Sequence, residues 1–250
     1  MSGHSKWHSI KHKKGAADKA RGKLFAVLIR QIEVAARAGG GDPDSNATLR
    51  TMIQKARDNS VPADTIQRAI RRGTGEEEGV TYEQVSYEGY AAHGVAVYVQ
   101  ALTDNRNRTG AEIRNLFTRN GGSFAEPGAV SWQFDRKGVV LVPKSAASED
   151  DLMLMAADAG AEDINDGGEQ WEVVTPPTDL HTVRTALEGA GVQVTSSDLV
   201  MIPTTTVELG DEAAAKSVLR LVESLEDHDD VEAVYANFDI PDAVLEAVNV

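Results

Sequence analysis

The densest chemistry in this 250-residue chain lies at its start, Gly3-His4-Ser5-Lys6-Trp7-His8-Ser9-Ile10-Lys11-His12-Lys13-Lys14-Gly15. Ammonium groups, hydroxyls and imidazoles alternate with almost no apolar content, so the segment cannot build a core. Lys6, Lys11, Lys13 and Lys14 are suited to neutralising phosphates and releasing their counterions, and Trp7 to stacking on an exposed base. His8 and His12 reinforce phosphate binding when protonated. The bland alternative is a soluble basic tail in which Trp7 packs against the rest of the chain. His4, His8 and His12 recur every four residues, as a helical metal face would require. Cations surround them and no nearby carboxylate orients a ring, so no metal is expected.

Further cations follow at helical spacing. Between Ala16 and Ala38, Lys19, Lys23, Arg30 and Arg37 fall within a narrow arc, opposite Leu24, Leu28, Ile32 and Ala35, with Glu33 interrupting nearby. Arg68, Arg71 and Arg72 project outward from a later helix. Asp104-Asn105-Arg106-Asn107-Arg108-Thr109 leads from a strand into a helix, where backbone donors with Arg106 and Arg108 could hold an anion. Equally, the Asn and Asp residues shape the turn and the two guanidiniums pair with acidic neighbours. Glu226-Asp227-His228-Asp229-Asp230 reads as a solvated acidic loop after a helix.

Enzyme signatures are missing. The stretch from Gly15 to Gly22-Lys23 has the wrong glycine spacing for a phosphate loop and no strand before it. No nucleophile elbow, zinc-protease pair or dinucleotide fingerprint occurs. The chain has no cysteine, which removes thiol nucleophiles, disulfides and thiolate-bound metals. No catalysis and no cofactor are expected. The N-terminus lacks the apolar region of a signal peptide, and no run approaches the roughly 18 apolar residues of a membrane span. A cytoplasmic protein, with a monomer favoured, is expected.

The elements that position these groups differ sharply in charge. Residues 1–75 hold 15 Lys and Arg against 6 Asp and Glu, a net +9, while residues 76–250 carry −23, giving −14 overall. A cationic end on an acidic body points to a polyanion partner that the remainder orients by repulsion. Periodicity changes at the same place. Three amphipathic helices, the third opened by Pro62 and stopped at Gly73, precede a linker, Gly73 to Gly79. Strands then follow at Tyr82 to Tyr87 and Val95 to Leu102. Thr109-Gly110-Ala111-Glu112 reads as a capping box opening a helix, and Val130 to Phe134 as a further strand.

Residues 137–204 show strand, helix, strand, strand, helix, strand, the order of a ferredoxin-like sandwich. The fold class is thus α+β and multidomain. A basic helical nucleic-acid-binding domain (1–75) precedes a discontinuous α+β domain (76–136 plus 205–250), into which a ferredoxin-like α+β domain (137–204) is inserted. Two sequential α+β domains meeting near Ser145 are the alternative.

The motifs GHSKW with IKHKK, AARAGGGDP, RAIRRGTGE, YEGY, LTDNRNRT, VYANFDIP and MIPTTTVEL closely resemble the YebC/PmpR family over nearly the whole chain. That family includes bacterial proteins and a mitochondrial translational activator of cytochrome oxidase. The resemblance implies a helical N-terminal domain with two α/β domains and no enzymatic activity. It also implies one of two roles: a DNA-binding transcriptional regulator, or a ribosome-associated translation factor that binds ribosomal RNA and assists synthesis through proline-rich stretches. The family's basic start falls on Lys6, Lys11, Lys13 and Lys14, and its Asn-Arg-Asn-Arg element on Asn105 to Arg108. Ala91-Ala92-His93-Gly94 departs from a usually glycine- and proline-rich stretch, and Gln100 stands where an acidic residue is common. The candidate nucleic-acid-binding set is Lys6, Trp7, His8, Lys11, His12, Lys13, Lys14, Lys19, Lys23, Arg30, Arg71, Arg72, Arg106 and Arg108. The expected partner is DNA or ribosomal RNA, with the ribosome a further candidate.

Overall fold

The computed structural model describes the backbone of residues 17–248 and the side chains of residues 22–241, 243–245 and 247–248. Three helices come first: α1 (Ala17–Gly39), α2 (Ala47–Asp58) and α3 (Ala63–Thr74). Apolar residues at three- and four-residue spacing turn one stripe of each toward the others, and Leu28, Ile32, Leu49, Ile53, Ile66 and Ile70 are buried together. Each such side chain contributes about 1.5–3 kcal/mol by leaving water. The turn into α2 is closed by Asn46. Its side chain accepts from Leu49 N (3.0 Å) as N-cap and donates to the carbonyls of Ala35 and Gly40, both at 2.9 Å.

The expected stop of α3 at Gly73 is displaced. The helix runs to Thr74 and ends at Gly75, whose φ of 83° lies in the left-handed region. Gly73 marks the crossing of α3 on α1 instead. A Cβ there would lie 2.5 Å from the Glu33 carbonyl oxygen and 2.7 Å from the Ala36 Cβ.

The remaining elements are β1 (Glu83–Tyr90), β2 (Ala96–Thr103), α4 (Arg106–Arg119), β3 (Ser123–Ala125), β4 (Phe134–Pro143), α5 (Glu149–Ala157), β5 (Asp163–Asp166), β6 (Gln170–Thr175), α6 (Leu180–Gly189), β7 (Ser196–Pro203), β8 (Val207–Glu208), α7 (Glu212–Glu226), β9 (Val231–Ala236), β10 (Phe238–Asp239) and α8 (Asp242–Val248). One four-stranded sheet has the order β5-β6-β4-β7, with β6 antiparallel to both β4 and β5. With α5 and α6 this is the strand-helix-strand-strand-helix-strand arrangement expected from the sequence, closed over Val140, Leu152, Val173, Val183 and Leu187. The other four-stranded sheet has the order β3-β1-β2-β9 and is antiparallel, with a register shift between Gln100 and Ala101 on β2. β8 and β10 form a separate parallel pair. The mixed α+β class matches the sequence expectation.

Two local expectations fail for identifiable reasons. Val130 to Phe134 is not one strand: Ser131–Gln133 is a 3-10 turn and β4 begins at Phe134. The Val130 and Ser131 amides that a ladder would use donate to the Glu88 carboxylate instead. Thr109 does not cap α4. Asn105 does, its side chain accepting from Arg108 N at 3.1 Å, while Thr109 is buried within the first turn.

Contacts among the described residues group the helical bundle with residues 136–201 in one unit, and residues 80–135 with 202–248 in a second. The chain passes between the units within β4 and β7.

Candidate nucleic-acid interface

Lys6, Trp7, His8, Lys11, His12, Lys13 and Lys14 lie outside the described residues, and so does the side chain of Lys19. On the described part of α1, Lys23 and Arg30 are half-buried, whereas Arg37 is exposed. Glu33 is not on the solvent face. It is 3% exposed and meets Arg72 across the helix crossing at 3.3 Å.

The last turn of α3 carries Arg71 and Arg72, where the negative end of the helix dipole favours cations. Arg71 donates to Glu77 Oε1 at 2.6 Å, and this hydrogen bond holds the Glu77 carboxyl below its ordinary range. Both arginines therefore also serve the fold, Arg72 bracing α3 on α1 and Arg71 tying down the segment after α3. Arg50 does the same for the α1–α2 turn, donating to the carbonyls of Pro43 and Asp44. Arg57 on α2 and Arg68 on α3 are exposed and make no ion pair with a described residue. Arg68 shares a helix face with Arg71, three residues on.

In the second unit, the candidates at the start of α4 separate. Arg106 is exposed. Arg108 donates to Asp104 Oδ1 and Asp230 Oδ2, each at 2.9 Å. Asp230 is 8% exposed and also accepts from the Thr109 hydroxyl at 2.7 Å. Burial raises its carboxyl pKa, and the hydrogen bonds from Thr109 and Arg108 outweigh that, leaving it below its ordinary range. His228 Nδ1 accepts from Asp230 N at 3.2 Å, which leaves the ring's proton on Nε2 to reach Glu112 Oε2 at 2.9 Å. Glu112, His228 and Asp230 bring their ligand atoms within 4.8 Å of one another. A guanidinium occupies that corner and both ring nitrogens are engaged, so the geometry is that of an ion-pair network. At Arg108 the charge is thus spent on Asp104 and Asp230, as the acid-pairing reading of this turn anticipates.

Two buried charges escaped the sequence reading. Arg184 on α6, 6% exposed, reaches Asp58 at the end of α2 through two bonds of 2.6 and 3.0 Å, and also donates to Ser197 and Glu188. Burial lowers its pKa, but Asp58 more than compensates and holds it above the ordinary value. Lys55 pairs with Asp198 beside it. Within the first unit, the bundle is bolted to the ferredoxin-like segment at this corner. Glu88 on β1, 4% exposed, accepts from the amides of Gly128 (2.7 Å), Val130 (2.6 Å) and Ser131 (2.9 Å). Neither partner set is adjacent in sequence, and no motif marks it.

Among the described residues no helix is long and apolar enough to cross a membrane. Residues 5–76 match the model of the TACO1/YebC N-terminal domain, and residues 82–238 that of the TACO1/YebC second and third domain. The chain is 58% identical over 249 residues to a "probable transcriptional regulatory protein" of Acidothermus cellulolyticus, covering 99% of this chain and 100% of the relative. It is 56% identical over 250 residues to a protein of the same name from Thermobifida fusca, covering all of both chains. A crystal structure of a conserved hypothetical protein from Aquifex aeolicus superposes with a TM-score of 0.83 at 46% identity, covering 90% of this chain and 93% of the other. With the helical bundle, the ferredoxin-like segment and the full-length matches in agreement, the chain belongs to the TACO1/YebC family.

Proposed function

We propose that this protein is a non-enzymatic, nucleic-acid-binding regulator of gene expression whose grip on phosphates comes from the basic N-terminal arm and helical bundle. The observation that carries this reading is the charge division: +9 over residues 1–75 on a chain of −14 overall. The exposed Arg37, Arg57 and Arg68 extend the cationic set beyond the arm, joining Lys23, Arg30, Arg71, Arg72 and Arg106. The names of the relatives support a transcriptional role. Few Asn or Gln side chains stand on the cationic faces, so binding is led by phosphate contacts rather than base readout.

A second reading is a translation factor that binds ribosomal RNA by shape. The acidic charge of residues 76–250 favours it, because an acidic body suits a particle that offers both RNA and basic protein surfaces.

The test is a titration of labelled duplex DNA and of labelled structured RNA across a salt series. Wild type should lose affinity with a log–log slope near −0.9 per phosphate contact on duplex. Reversing Lys11, Lys13 and Lys14 to Glu should weaken binding by about tenfold or more, and Arg57→Ala and Arg68→Ala should each flatten the slope by about one. A salt-independent affinity, unchanged in the reversal variant, refutes the proposal.

A further inference from the structure

Trp132 is 73% exposed, yet the turn that carries it is fixed from several sides. The buried Glu88 carboxylate holds the amides of Gly128, Val130 and Ser131. Val130 and Phe134 anchor the turn in the core at 0% and 5% exposure. The Gln133 carbonyl accepts from Thr204 N at 2.8 Å, and its side-chain oxygen from Asn237 Nδ2 at 3.2 Å. The Ala129 carbonyl accepts from Tyr90 Oη and from Trp132 Nε1, both at 3.0 Å. The indole's single donor is thereby satisfied, and what remains for a partner is its π surface. Burying a carboxylate is unfavourable unless its hydrogen bonds are needed, and here they shape a turn whose outward product is an aromatic ring. A large side chain held rigid before binding has little entropy left to lose on contact, the property of an interface anchor.

The surroundings indicate the partner. The unit that carries Trp132, residues 80–135 with 202–248, holds 6 Lys and Arg against 18 Asp and Glu, a net −12. Glu126, on the same turn, and Asp135, at the start of β4, are exposed. Phosphates would meet repulsion there, whereas ammonium and guanidinium groups are attracted by the carboxylates and by an indole face. We propose that Trp132 is the docking anchor for a cationic protein segment, with Arg or Lys side chains lying on the indole and Glu126 and Asp135 meeting their charge. The proposed anchor uses none of the residues assigned to phosphate binding.

The test is fluorescence anisotropy of a labelled short peptide of alternating arginine and glycine, titrated with the full-length protein, beside a labelled single-stranded RNA of similar length. Trp132→Ala removes no charge and no buried contact, so its thermal midpoint should match wild type. Its peptide affinity should fall about tenfold, with Trp132→Phe intermediate. The pair Glu126→Gln with Asp135→Asn should weaken peptide binding and flatten its salt dependence, while reversal of Lys11, Lys13 and Lys14 should leave peptide binding intact. Wild-type peptide affinity in Trp132→Ala overturns the proposal. So does a loss of RNA binding with peptide binding unchanged, which would make the ring a base-stacking platform.

Discussion

Replacing Asp58 by Asn strands the most deeply buried ion pair described in the protein. The side chains of Arg184 and Asp58 are 7% and 9% exposed, and the guanidinium is bidentate on the carboxylate at 2.6 and 3.0 Å. Removing one partner of such a pair leaves an uncompensated buried charge, which costs about 3–5 kcal/mol. Arg184 remains protonated even without Asp58, because an arginine guanidinium does not give up its proton inside a protein, so neutralisation offers no escape. The Asn carbonyl, Ser197 Oγ and Glu188 retain part of the coordination, which sets the expected loss at the lower end, about 3 kcal/mol. For a chain of this length, each kcal/mol shifts the melting midpoint by about 2–4 °C, giving a fall of about 6–12 °C. Calorimetric and urea unfolding of wild type and Asp58→Asn measure it. The double replacement Asp58→Leu with Arg184→Met should recover most of the loss, because both charges leave together. A fall of less than about 2 °C for the single variant, or a double variant no better than it, refutes the argument that this pair locks α2 to α6.

Gly73→Val should destabilise the bundle by about 2 kcal/mol or more, read as a lower midpoint of helical circular dichroism, because a Cβ would meet the Glu33 carbonyl at 2.5 Å. His93 sits at φ 64° in the hairpin between β1 and β2, so His93→Gly should gain about 0.5–1 kcal/mol in urea unfolding as left-handed strain is relieved. Glu88→Gln should cost about 2–3 kcal/mol at neutral pH, since three charge-assisted hydrogen bonds weaken together. Burial raises the Glu88 pKa, but the Gly128, Val130 and Ser131 amides hold it below the ordinary range, as Thr109 and Arg108 do for Asp230. Stability from both carboxylates is therefore complete above the unfolded values of about 4 and is lost as pH falls through the lower folded values. Urea midpoints between neutral pH and pH 3 should drop steeply in wild type and less steeply in Glu88→Gln.

The helices of the bundle were legible because their apolar residues repeat at three- and four-residue spacing, and the sandwich order because its strands are short, β-branched and separated by turn residues. Boundaries slipped where tertiary contacts took over the local signal. Gly73 looked like a stop, but its missing side chain serves the crossing of α3 on α1, and the left-handed cap lies two residues on. Val130 to Phe134 alternates like a strand, yet Glu88, 42 residues before Val130, captures the amides that a ladder would need. The candidate site divides the same way. Arg71 was read as an outward cation from helical phase alone, whereas its acidic partner Glu77 is set by the folded chain; for Arg108 anion binding and acid pairing were both open, and Asp230, distant in sequence, is the partner it meets. Arg68 carried the same sequence signal as Arg71 and emerges exposed, as does Arg57, which the sequence reading did not single out. Trp132 and the Arg184–Asp58 pair left no trace in the motifs, because each depends on contacts between distant segments.

The central claim is that the basic N-terminal module brings this protein to nucleic acid. In-cell ultraviolet crosslinking, followed by sequencing of the RNA and DNA recovered with wild type and with the Lys11, Lys13 and Lys14 reversal variant, tests it most directly. The account predicts abundant recovery with wild type that collapses in the variant, promoter DNA marking the transcriptional role and ribosomal RNA the translational one. Equal recovery from both proteins, or no nucleic acid from either, contradicts it.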